Sequence, residues 1–130
     1  YDERYSLKHI QKRLERVLNK RVVFVDNFEE SQNEIATCSL ERVFLLENIR
    51  FYEGEKSNDD ELSKRLASIC DVYVNDAFGT SHREHASTFG ITKYVDTKVA
   101  GFLMIKEIEA FSKALEEPVR PIALVVGGAK

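Results

Sequence analysis

Four short apolar runs, separated by stretches of helical periodicity, constrain what this chain can fold into. VVFV (residues 22–25), VFLL (43–46), VYV (72–74) and IALVV (122–126) are continuous and rich in β-branched residues. Strands of that kind are covered on both faces, so they belong in the interior of a sheet with helices above and below. The stretches between them supply the helices. Over residues 6–19, Leu7, Ile10, Leu14, Val17 and Leu18 fall on one face while Lys8, Lys12, Arg13 and Arg16 lie elsewhere, with Ser6 as the expected N-cap and Asn19 as the stop. A short helix from Glu29, carrying Ile35, Ala36 and Cys38, has acids at its positive end. A third from Asp59 places Leu62, Leu66 and Ile69 together, and a fourth over residues 99–115 repeats Met104, Ile108, Phe111 and Leu115. Alternation of short strands with amphipathic helices predicts an α/β fold, with a mainly parallel sheet between helical layers.

The remaining segments read as connections. Residues 52–58 combine Gly54 with alternating charges, the composition of a surface loop, and residues 87–98 fit either an irregular loop or a short strand. Both prolines, Pro118 and Pro121, fall after the fourth helix and end it by removing donors and fixing φ.

Three strand exits carry polar or cationic residues, and open α/β sheets bind ligands outside the carboxyl ends of their strands. The second strand leaves through Glu47, Asn48 and Arg50; the third through Asn75, Asp76, His82, Arg83 and His85; the fourth through Gly127, Gly128, Ala129 and Lys130. Arginine grips a phosphate through two parallel charge-assisted hydrogen bonds and stays charged at any working pH. Two of them, Arg50 and Arg83, at one sheet edge would make a pocket for a small dianion. The plainer reading pairs each with a neighbouring acid such as Glu47 or Asp76. Asn75 and Asp76 are expected to brace their loop, since an unpaired Asp repels an incoming phosphate. His82 and His85, three apart, are too few for a zinc or iron site. Glycines after a strand let backbone amides approach a phosphate, but GxxxxGK[ST] is absent, so the last exit is not a P-loop.

Composition removes several function classes. At 130 residues the chain suits one domain with a real core, and its 43% hydrophobic and 32% charged content is that of a folded, non-membrane domain. A net charge of −3 provides no general attraction to nucleic acid. No apolar run nears the roughly 18 residues of a membrane span, no signal-peptide pattern opens the chain, and a cytoplasmic location is the default. Cys38 and Cys70 lack CxxC spacing and are expected as reduced thiols.

The stretches VFLLENIRF, DVYVNDAFGTSHREHAST, GFLMIKEIEAFSKAL and VVGGAK, in this order and spacing, resemble the N-terminal domain of the phosphoglycerate kinases. The resemblance extends over nearly the whole chain, weaker in residues 1–40. It implies a Rossmann-like three-layer α/β/α domain that is incomplete at both ends. Position 1 is Tyr rather than Met and Lys130 stands where a helix would start, so the sequence is expected to be a piece of the substrate-binding half of a longer enzyme. The resemblance further implies reversible phosphoryl transfer from 1,3-bisphosphoglycerate to ADP, giving 3-phosphoglycerate and ATP with Mg²⁺ accompanying the nucleotide, in a monomeric enzyme of glycolysis and gluconeogenesis. Arg50, Arg83 and His82 would hold the acid substrate. Gly127, Gly128, Ala129 and Lys130 would face the nucleotide, with Arg83 and Lys130 steadying the transferring phosphoryl group. Ser81 and Glu84 depart from the usual small apolar residues, and Glu84 adds a negative charge beside the phosphate site.

Two other classes stay open at this level. One is a non-catalytic α/β domain that binds a phospho-ligand or a protein, and the other a metal-dependent hydrolase using His82 and His85.

Overall fold

The computed structural model describes residues 2–37, 42–116, 118–123, 125 and 127. The polypeptide enters the fold through Ser6, whose Oγ accepts from Lys8 N at 3.2 Å ahead of a 3-10 turn, Lys8–Ile10. That turn runs into helix α1, Gln11–Leu18. Asn19 stops the helix in the left-handed conformation, φ 49°, with its N–H returning to the Glu15 carbonyl. Strand β1, Val22–Val25, follows; helix α2, Phe28–Thr37, crosses over; and β2, Val43–Leu46, lies parallel to β1 with Val22 opposite Val43 and Val25 opposite Leu46. Helix α3, Asp60–Ala67, is capped by Asp59, whose carboxylate accepts from Leu62 N at 2.8 Å. Strand β3, Val72–Asn75, then pairs in parallel with β4, Thr97–Ala100, and helix α4, Phe102–Leu115, closes the described fold. Parallel strands joined through helices give the Rossmann-like α/β arrangement.

The core forms where α2, α3 and the 3-10 turn Gly90–Lys93 meet β1. Val25, Phe28, Leu62, Leu66, Ala67, Ala86, Ile91 and Val95 form one buried cluster, with Phe28 and Leu62 fully enclosed. Phe28 meets Tyr52 at a 5.0 Å centroid distance with the rings tilted by 60°, and the Tyr52 hydroxyl accepts from Phe28 N. Phe28, one residue ahead of the helix start expected at Glu29, is therefore the first residue of α2 and part of the core.

Several expectations need correction. Among the described residues the strands form two parallel pairs, β1–β2 and β3–β4, rather than one continuous sheet. β3 is not buried: Val72 and Val74 are about half exposed because only Tyr73 and Asn75 face inward. Residues 97–100 are a strand, so the fourth helix begins at Phe102 instead of Val99. Gly101 N donates to Asn75 O at 2.8 Å, extending the pairing with β3 up to the helix start. Asp76 Oδ1 then accepts from Leu103 N at 2.7 Å and Met104 N at 3.1 Å, satisfying two orphan donors of α4. A Cβ at Gly101 would stand 2.3 Å from Asp76 Cγ, so only glycine admits this cap. The apolar faces of α1 and α4 remain largely open among the described residues, with Val17, Ile108, Phe111 and Leu115 exposed; Phe111 is stacked on Phe78 at 5.6 Å. Ile122, Ala123 and Val125 have no strand structure, and the rest of the expected last strand lies outside the described residues.

Leu62→Ala, in the closed core, should cost about 2–5 kcal/mol. Val119→Ser, at a site 89% exposed, should cost less than about 0.5 kcal/mol. Urea unfolding followed by circular dichroism measures both, and equal midpoints would contradict the assignment of the core.

Candidate active site

The exit from β2 is held rigidly. Glu47 is 3% exposed and accepts from Ser6 Oγ at 2.6 Å, Leu7 N at 2.8 Å and Asn48 N at 2.7 Å. Next to it, Asn48 Nδ2 donates to Tyr5 O at 3.0 Å, while Asn48 Oδ1 accepts from Arg50 N at 3.1 Å and caps the 3-10 turn Ile49–Phe51. Arg50 thus projects from a turn braced on both sides.

The exit from β3 is organised similarly. Asn75 Oδ1 accepts from Ala77 N at 3.1 Å, and a 3-10 turn, Phe78–Thr80, follows. Arg83 N donates to Thr80 O at 3.0 Å, and Thr88 Oγ1 donates to Arg83 O at 2.9 Å. Asn75 and Asp76 brace the loop as the sequence indicated, Asp76 by capping α4. Ser81 Oγ donates to Ala77 O at 2.8 Å, and Glu84 is exposed.

Between the two exits lies a cleft of about 450 Å³ whose walls include Arg50, Glu55, Tyr73, Asn75, Asp76, Thr80 and His85. Arg50 is on its wall. Arg83 and His82 are exposed on the turn between Thr80 and His85, both of which line the cleft, but neither of the two forms a wall itself. Neither Arg50 nor Arg83 is ion-paired among the described residues, so the pairing with Glu47 or Asp76 does not occur. Of the nucleotide-side residues, Gly127 is exposed, with open space where a Cβ would stand, while Gly128, Ala129 and Lys130 lie outside the described residues. A larger open depression of about 690 Å³ at the end of α1 is lined by Lys12, Glu15, Arg16, Asn19, Lys20 and Arg21. It contains no residue of either strand exit, and its cations complement the carbonyl end of the helix.

Residues that the sequence reading assigned to a wet loop or passed over complete the cleft. Glu55, expected on the surface, is 2% exposed and accepts from Ser87 N at 3.0 Å and Ser87 Oγ at 2.7 Å. His85 Nδ1 lies 3.7 Å from Glu55 Oε1, close enough for an ion pair only when the ring is protonated. Gly54 and Asn58, both turn formers flanking Glu55, were the available signal. Tyr73 donates its hydroxyl proton to Ser87 O at 3.0 Å, and burial, reinforced by the charge of Glu55, pushes its pKa above the ordinary value. Burial likewise raises the thiol pKa of Cys70, which is a free cysteine; Cys38 lies outside the described residues. Among the described residues no group of three or more His, Cys, Asp or Glu side chains is placed to hold a metal ion, and none is long and apolar enough as a helix to cross a membrane.

A parallel α/β scaffold with a polar cleft beside its strand exits, where Arg50 and Arg83 have no carboxylate partner among the described residues, defines a class: α/β proteins with a crevice at the carboxyl ends of their strands. The family model for phosphoglycerate kinase matches residues 1–130. A phosphoglycerate kinase of Wolinella succinogenes is 58% identical over 97% of this chain, and one of Helicobacter pylori 55% identical over 99%. Among solved structures, phosphoglycerate kinase from Coxiella burnetii superposes with a TM-score of 0.77 at 37% identity over 93% of the chain, and that from Pyrococcus horikoshii with 0.78 at 30% identity over 89%. The chain belongs to the phosphoglycerate kinase family. It spans 31% and 32% of the length of the two curated relatives and 30% and 31% of the two solved chains.

Because the folded state holds Tyr73 neutral with a raised pKa, its contribution to stability is complete below the ordinary tyrosine value of about 10 and is lost as pH rises through the folded value. Tyr73→Phe should therefore flatten the alkaline fall in the urea midpoint as pH rises above about 10, leaving the parts due to Tyr52, Tyr94 and the Cys70 thiol, whose pKa values are also raised. An identical alkaline slope in the variant would contradict the burial argument.

Proposed function

We propose that this chain supplies the acid-substrate part of a phosphoglycerate kinase. The enzyme moves the acyl phosphate of 1,3-bisphosphoglycerate to Mg-ADP, releasing 3-phosphoglycerate and Mg-ATP, and runs in reverse for gluconeogenesis. The observation that carries this reading is the Arg50 guanidinium on the cleft wall with Arg83 on the adjoining turn, neither ion-paired among the described residues, in a chain that matches the family along its full length.

Phosphoryl transfer of this kind needs no covalent nucleophile from the protein. It needs in-line placement and positive charge around the equatorial oxygens of a loose transition state. Arg50, Arg83 and His82 hold the phosphorylated acid, and Arg83 with Lys130 steadies the migrating group. Gly127, Gly128 and Ala129 bring backbone amides to the nucleotide, and Mg²⁺ enters as part of that substrate. Closure of this segment against the nucleotide-binding portion excludes water that would hydrolyse the acyl phosphate. The complete enzyme acts as a cytoplasmic monomer whose partners are these small molecules, with no membrane or nucleic acid involved.

Calorimetric titration with 3-phosphoglycerate tests the assignment. The chain should give weak saturable binding, reduced about tenfold or more by Arg50→Ala and by Arg83→Ala, since each removes charge-assisted bonds to the anion. Saturable heat that both variants leave unchanged would contradict it. Steady-state ATP formation by the 130 residues would show that the segment is more than part of a site.

A further inference from the structure

We propose that Glu55 is a positioning residue for the phosphate-gripping groups: one buried carboxylate couples the loop carrying Arg50 to the loop carrying His82 and Arg83. The inference deepens the acid-substrate reading and rests on it for its consequence in binding.

The turn that delivers Glu55 is built around an inward side chain. Gly54 and Asn58 both adopt positive φ, 95° and 57°. Asp59 N donates to Gly54 O at 2.9 Å, and a Cβ on Gly54 would come within 2.6 Å of Asp59 Cβ. Glycine takes positive φ without steric cost and asparagine at a small one, so these two residues suit a tight turn that directs the side chain between them inward. Their result is a carboxylate taken out of water, which is tolerated only if donors replace the lost hydration. Among the described residues the carboxylate takes its hydrogen bonds from Ser87 on the other loop, which also bonds the Glu55 backbone and brings a histidine close. Ser87 supplies its N–H and its hydroxyl, Ala86 N donates to the Glu55 carbonyl at 2.9 Å, and His85 Nδ1 stands 3.7 Å from the carboxylate.

From this clasp the bonds run to the arginines in a few steps on each side. Towards Arg83, Thr88 Oγ1 donates to the Arg83 carbonyl, and Arg83 N is tied to Thr80 O. Towards Arg50, Glu55 N donates to Tyr52 O at 3.3 Å and Tyr52 N to Ile49 O at 3.1 Å, within the turn that Arg50 belongs to. Tyr73 holds the Ser87 carbonyl from β3. The two loops are otherwise separate in sequence and in sheet pairing. Glu55 is thus the group through which the spacing of their cations is transmitted.

Glu55 also lines the cleft, so a purely electrostatic role would be to repel an anionic ligand. The neutral isostere separates the two roles by sign. If charge alone mattered, Glu55→Gln would tighten 3-phosphoglycerate binding. As a clasp, it should weaken binding by about two- to tenfold, because the bonds from Ser87 lose an ionised acceptor and a neutral amide holds the loop less strongly. Hydrogen exchange on the ligand-free chain gives the second readout: Glu55→Gln should accelerate exchange in residues 82–88 while α3 stays protected. Glu61→Gln, which removes an exposed acid whose one side-chain partner among the described residues is Lys64, should change neither. Glu55→Gln with binding unchanged or tighter, or with unchanged protection in residues 82–88, overturns the proposal. Absence of saturable binding by the wild-type chain would count against the acid-substrate reading, and exchange in residues 82–88 would still decide for or against the clasp.

Discussion

A carboxylate removed from water has to recover its hydrogen bonds from the protein, and at the strand exits of this fold that requirement shapes everything nearby. Glu47 recovers them from Ser6, Leu7 and Asn48, and Glu55 from Ser87. Asp76, though more exposed, spends one oxygen on two N–H groups of α4. Each acid therefore fastens one backbone segment to another. The corollary concerns the cations: among the described residues these acids do not pair with Arg50 or Arg83, whose guanidinium groups stay available for an external anion. Stability of the loops and availability of the charges arise from one set of bonds.

The layout of helices and strands was legible because periodicity reports burial directly. β1, β2, β3 and α3 stand where apolar spacing placed them, and Asn19 stops α1 for the expected reason. β4 was only half visible, since Thr97, Lys98, Val99 and Ala100 lack a continuous apolar run. The start of α4 was invisible locally because Val99 and Phe102 are equally apolar. What separates strand from helix there is the contact of Gly101 with Asp76, and that is a property of the folded chain. Burial itself was over-read at β3, α1 and α4: an apolar face states what a surface is suited to contact, and among the described residues little lies against those faces.

At the site, the functional groups were easier to read than their supports. Arginine and histidine following an apolar strand attract attention by type, and their motif is long enough to indicate a family. Glu55 offered no such signal. Among Glu53, Lys56 and Asp59 it looks like one more solvated charge, and only the flanking Gly54 and Asn58 hint that the backbone turns it inward. Ser87 and Tyr73 are similarly anonymous until the fold brings them to the same carbonyl and carboxylate.

Membership of the phosphoglycerate kinase family and the unpaired arginines together make one geometric demand, that two guanidinium groups from separate strand exits serve a single small anion. Arg50 is on the cleft wall and Arg83 on the turn between Thr80 and His85, both of which line the cleft, so the demand reduces to where their side chains go when a ligand is present. A crystal structure of the chain with 3-phosphoglycerate measures this directly. The account predicts one ligand molecule in the cleft with both guanidinium groups within about 3.5 Å of its oxygens. A ligand seated in the cleft and touching neither arginine, or bound instead among Lys12, Arg16 and Lys20, would contradict it.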